Sequence, residues 1–128
     1  MTYYVSKNVT LGFDEAIMRV TEELMKEGFG ILTEIDVSAT LKKKLDIDFR
    51  NYRILGACNP SYAYKALLAE PRIGVMLPCN VIVRELEDGS VEVAAVDPLA
   101  SMQAIHNDEL QPIAGEIQLK LKKVIEHL

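Results

Sequence analysis

Hydrophobic and polar positions alternate at the start of the chain. Tyr3, Val5, Val9 and Leu11 share one parity, and Thr2, Tyr4, Ser6, Asn8 and Thr10 share the other. A period of two predicts a half-buried strand. Gly12 ends the alternation, and Phe13, Ile17, Val20 and Leu24 then recur at helical spacing. Asp14 and Glu15 fall in the first turn, where unpaired N–H groups favour negative charge. Gly28 stands where a left-handed residue closes a helix.

A second strand follows, with Phe29, Ile31, Ile35 and Val37 facing one way and Glu34 and Asp36 the other. Ser38 is the expected N-cap of a short helix that holds Leu41 and Leu45. After a turn region, Asp46 to Asn51, a third strand is expected over about Tyr52 to Cys58. Asn59 suits an N-cap and Pro60 a first helical position, so a helix runs from there through Tyr64, Leu67 and Leu68 to Ala69. From Ile73 the chain is read as extended, with Val75, Leu77, Cys79, Val81 and Val83 on one parity. Asp88-Gly89 is a hairpin turn, and Val91, Val93 and Ala95 form the returning strand. Asp97-Pro98 opens a short helix through Met102 and Ile105. A last helix over about Glu109 to Glu126 carries Leu110, Ile113, Ile117, Leu121 and Val124 on one stripe, with Pro112 in its first turn.

The resulting order, β-α-β-α-β-α-β-β-α-α, predicts a single α+β domain over residues 1–128. It has a sheet of about five strands, with helices packed against one face. The last hairpin must be antiparallel. The βαβ units allow parallel neighbours, so the expected sheet is mixed.

Composition narrows the function classes. At 128 residues and 49% hydrophobic, the chain can bury a core without disulfides or metal. No apolar run reaches the roughly 18 residues of a membrane span, and the segment from Met1 to Lys7 lacks the blocks of a signal peptide. A cytoplasmic protein with free thiols is expected, with no membrane partner. The net charge of −5 argues against a nucleic-acid partner, which needs a clustered basic footprint. Lys42-Lys43-Lys44, the one basic run, reads as a helix end, where cations suit the dipole.

Candidate chemistry is confined to the two cysteines. Cys58 lies just before a helix start, where N–H groups and the dipole stabilise a thiolate. The plainer reading makes it a small apolar residue at a strand end. Cys79 shares the core parity, and Pro78 beside it implies an edge or a bulge that could turn it toward Cys58. The 21-residue spacing is no zinc signature, and His106 and His127 lack ligand spacing, so no metal site is assigned. Hydrolase, zinc-protease and nucleotide-loop motifs are missing from the sequence. The acidic pairs Glu22-Glu23 and Glu85, Glu87 are expected in solvent. Tyr62 and Tyr64 either line a pocket beside Cys58 or pack their helix.

Ile54-Leu55-Gly56-Ala57-Cys58-Asn59-Pro60, then Ala63 and Ala66-Leu67, then Leu77-Pro78-Cys79-Asn80-Val81 together resemble a small prokaryotic family, the domain of unknown function family 302. The resemblance covers nearly the whole chain, from Phe13 through Gly28-Phe29-Gly30 to Asp97-Pro98 and the last helix. It implies a compact α+β domain and a homodimer. It implies no activity, no cofactor and no settled functional residues. The leading reading is a homodimeric binding module that holds a small molecule, a soft metal or a sulfur species near Cys58. Asn59 would orient a polar group there and Cys79 would be the second thiol. The alternatives are a thiol redox or sulfur-transfer enzyme using Cys58 and Cys79, and an interaction or scaffold domain with buried structural cysteines.

Overall fold

A computed structural model describes residues 2–128; Met1, the first residue of the N-terminal segment read above, lies outside them. Strand β1 (Tyr4–Val9) leads through Gly12 into helix α1 (Phe13–Lys26) and strand β2 (Gly30–Asp36). Helix α2 (Val37–Leu45), strand β3 (Tyr52–Cys58) and helix α3 (Pro60–Ala69) follow. A single 3-10 turn, Ile73–Met76, precedes strands β4 (Cys79–Glu85) and β5 (Val91–Val96). Helices α4 (Pro98–Ser101) and α5 (Leu110–Glu126) complete the chain. The element order and the α+β class are those the sequence predicts.

The five strands lie in the order β1-β5-β4-β3-β2. Every pairing is antiparallel, so the expected mixed sheet is corrected. The reason is topological. β1 and β2 run the same way, but three strands separate them at opposite edges, and α1 spans that gap. The connections through α2 and α3 return the chain beside the strand it left, in the opposite direction.

Local detail differs from the sequence reading: Val37, read in the second strand, opens α2, and α4 ends at Ser101, short of Ile105. Asp36, not Ser38, caps α2 by accepting a hydrogen bond from the Ala39 N–H at 2.9 Å. The run from Ile73 is a 3-10 turn, not a strand, and β4 begins only after a cis Leu77–Pro78 bond. The bulge expected at Pro78 lies instead in β2, between Ile31 and Thr33. An extra residue reverses side-chain parity. Ile31 therefore pairs with core-facing Ala57, whereas Ile35 pairs with Ile54 on the opposite face.

The core lies between one sheet face and helices α1 and α5. Leu55, Val81, Val83, Val93 and Ala95 supply the sheet side; Val20, Leu24, Leu121 and Val124 supply the helices. A second cluster of Ala66, Ile73, Met102, Leu110 and Ala114 gathers α3, the 3-10 turn, α4 and the start of α5. Gly28, at φ +88°, gives α1 the left-handed stop expected of it. Lys42 to Lys44 occupy the last turn of α2, where Lys42 pairs with Asp46 at 3.0 Å and Asp48 at 3.1 Å.

Candidate functional site

Cys79 and Asn59 have structural roles. Cys79 opens β4, is 6% exposed and belongs to the main core. Burial, with a smaller contribution from the nearby Cys58 charge, pushes its thiol up to about 11. Cys79 pairs with Ala57, so Cys58 stands one residue out of register. Strand alternation turns the two side chains to opposite faces, an arrangement no disulfide bridges without backbone movement. Asn59 makes no cap bond to its own helix. Its amide donates instead to the Glu27 carbonyl at 3.2 Å, closing the C-terminus of α1. The three residues of the proposed thiol site are thus adjacent in the fold but do not converge on one space.

These positions give a chemical prediction. With its pKa at about 11, Cys79 is thiolate in about one molecule per thousand at pH 8. Iodoacetamide is expected to label half-buried Cys58 first and Cys79 only after unfolding, as peptide mass spectrometry would report. The raised value also fixes a pH dependence. Its contribution to stability is complete below the ordinary thiol value of about 8.5 and is lost as pH climbs toward 11. Equal labelling of both cysteines in the native state would contradict this placement.

Other titratable groups are spent on structure. Glu23, expected in solvent, is buried, because Arg19 and Lys26 both reach its Oε1 at 2.7 and 2.9 Å. The Lys26 and Arg19 hydrogen bonds hold its carboxyl below the ordinary value. His127 caps the end of α5, with its carbonyl accepting from Arg19 and its Nδ1 3.8 Å from Glu23. Among the described residues, no three His, Cys, Asp or Glu side chains could hold a metal ion together. Nor, among the described residues, is any helix long and apolar enough to cross a membrane.

Sequence reasoning placed helices on one face of the sheet only, but it named no site residue on the other, the face opposite α1 and α5. Register aligns its side chains in rows across the strands. One row is Ser6, Ala94, Ile82, Ile54 and Ile35, in which the four residues beyond Ser6 form an apolar band crossing β5, β4, β3 and β2. The next is Asn8, Glu92, Arg84 and Tyr52. On the other side of the band lie Tyr4, Asn80, Gly56 and Thr33. Tyr4 is 40% exposed and Ile35 49%, because no helix layer packs over them.

A cavity of about 460 Å³ lies on this face, lined by Tyr3, Tyr4, Tyr52, Asn80, Ile82, Arg84, Glu92 and Ala94 among others. Ile82 and Ala94 form an apolar floor, with tyrosines at the walls. The Tyr3 and Tyr4 rings meet edge to face, with centroids 5.1 Å apart. Arg84 Nε donates to Glu92 Oε1 at 2.7 Å, so this ion pair of the lining is neutralised within the chain. An apolar cavity of this size with a few convergent polar groups has the character of a small-molecule site. A signal for it was present: Ile82 is a large apolar residue on the parity opposite Val81 and Val83.

Comparison with known proteins agrees with the fold. The family model described as "Domain of unknown function DUF302" matches residues 5–128. A protein of Aquifex aeolicus (strain VF5), named "Uncharacterized protein", is 36% identical over 69 residues, covering 54% of this chain and 47% of that protein. The match therefore spans about half the length of that curated relative. A crystal structure of an "uncharacterized conserved protein DUF302 from Bacillus stearothermophilus" superposes with a TM-score of 0.91 at 28% identity, covering 98% of each chain.

Proposed function

The chain belongs to the DUF302 family, and we propose that it is a homodimeric binding module whose recognition surface is the open face of its sheet. The observation that carries the reading is the apolar band Ala94, Ile82, Ile54 and Ile35, which runs beyond the cavity to the β2 edge. Contiguous apolar surface rimmed by polar side chains marks an interaction site. The cavity holds a small ligand, and a second copy of the chain roofs it.

Two physical features favour a second copy as the roof. A two-fold interface sets a surface against itself, so unbalanced charge there is repulsive. The chain carries −5 overall, yet the rows of this face hold one charged pair, Arg84 and Glu92, which cancel. Five strands of about six residues give a footprint of roughly 24 by 20 Å. Two such footprints project to roughly 960 Å² in total, close to the ~1,000 Å² that a specific interface should clear. Free thiols suit a reducing compartment, and the cytoplasm is the compartment proposed. The thiol-enzyme reading draws no support from the opposed directions of Cys58 and Cys79.

Light scattering coupled to size exclusion tests the dimer. Wild type is expected at twice the chain mass. Ile82→Arg and the milder Ile35→Arg, at the more exposed end of the band, are expected at the monomer mass with unchanged circular dichroism. A wild-type monomer across micromolar concentrations would sink the proposal.

A further inference from the structure

The polar end of the cavity carries more information than its size. Arg84 commits its Nε to Glu92 Oε1. Among the described residues, its two terminal nitrogens donate to no other protein group, and Glu92 Oε2 accepts from none. The pair therefore presents donors beside an acceptor, held side by side on adjacent strands by the Arg84–Glu92 register. Tyr52 is the cross-strand neighbour of Arg84 on its other side. Ile82 and Ala94, one row away, supply the flat apolar floor.

Each part of that arrangement restricts the ligand. A free carboxylate or ammonium would meet a pair whose charges cancel, and one partner would repel it. A purely apolar molecule would strip water from the guanidinium and carboxylate and return no hydrogen bond, which is unfavourable. A group that accepts from Arg84 and donates to Glu92 satisfies both. A carbonyl beside a ring N–H has that edge. Its planar, π-rich body matches an apolar floor with tyrosine walls. The asymmetry also gives selectivity, because a ring lacking the N–H leaves Glu92 desolvated and unpaired.

We propose that the sheet-face cavity takes a neutral, planar heteroaromatic lactam, read by the Arg84–Glu92 pair and stacked among Tyr3, Tyr4 and Tyr52. This rests on the reading of that face as the recognition surface.

Calorimetric titration with three probes tests it. Lumazine carries the lactam edge, 1,3-dimethyllumazine has the same ring without the ring N–H groups, and 2-naphthoate is a flat anion. Lumazine is expected to bind wild type at least tenfold more tightly than either comparison probe. Arg84→Met and Glu92→Leu are each expected to weaken lumazine about tenfold or more. Leu119→Ala, on the far side of α5, should leave it unchanged. Equal binding of lumazine and dimethyllumazine would overturn the lactam assignment. Tighter binding of 2-naphthoate would overturn its neutrality, and no binding by any probe would overturn the inference as a whole. None of these results changes the dimer mass that tests the module itself, so the two failures are distinguishable.

Discussion

Leu121→Ala is expected to lower the unfolding free energy by about 2–5 kcal/mol, among the largest effects of any single substitution in this chain. Leu121 is 1% exposed and belongs to the core that joins α5 to α1 and the sheet. Truncation removes the apolar transfer energy and leaves a void whose walls, two helices and a sheet, relax only partly. The control lies two residues away. Leu119 is 65% exposed on the same helix, so Leu119→Ala is expected to change stability by no more than about 0.5 kcal/mol. Urea unfolding of both variants decides the matter. Similar costs for the two would mean that α5 does not pack through the Leu121 face.

The second large effect concerns Gly56, in the middle of the motif that holds Cys58. A Cβ added there would stand 2.1 Å from Thr33 Oγ1 and 2.7 Å from Pro78 Cγ. Gly56→Ala would ordinarily favour a strand by about 0.5–1 kcal/mol. Overpacking at these distances outweighs that gain and costs about 1–3 kcal/mol. Thr33→Ala removes the nearer obstacle and leaves the Pro78 ring, so part of the loss should be recovered. A double-mutant cycle is expected to give a favourable coupling of about 1 kcal/mol. A stabilised Gly56→Ala protein would show that the strand and the Pro78 segment are farther apart than described.

Gly56 also shows why the sequence motif was easier to recognise than to interpret. Gly56, Pro78 and Asn59 belong to the segments that mark the family, and each is explained by close packing. Gly56 admits Thr33 and Pro78. Asn59 ties the end of α1 through Glu27. Cys79 fills the core. These constraints look like chemistry because Cys, Asn and Pro are uncommon together.

Periodicity carried most of the fold. The stripe from Leu110 to Val124 and the alternation from Val91 to Ala95 are visible because one face is buried and the other is wet. Strand order was not legible, since it depends on which edges meet after the chain has folded back. The β2 bulge was hidden as well. It moves Ile35 to the open face without disturbing the apparent alternation of Phe29, Ile31 and Ile35. The cavity needed both facts. Its floor and walls come from β1, β3, β4 and β5, from residues as distant in sequence as Tyr4 and Ala94.

The central claim is that the open sheet face is the surface this protein uses. Hydroxyl-radical footprinting of wild type against Ile35→Arg, read by peptide mass spectrometry, tests it most directly. Tyr4, Tyr52 and Ile82 are expected to label several-fold more slowly in wild type than in the variant. Tyr64 and Leu68, exposed on α3, should label equally in both. Equal labelling of Tyr4, Tyr52 and Ile82 in the two proteins, or protection found at Tyr64 and Leu68 instead, would contradict the claim.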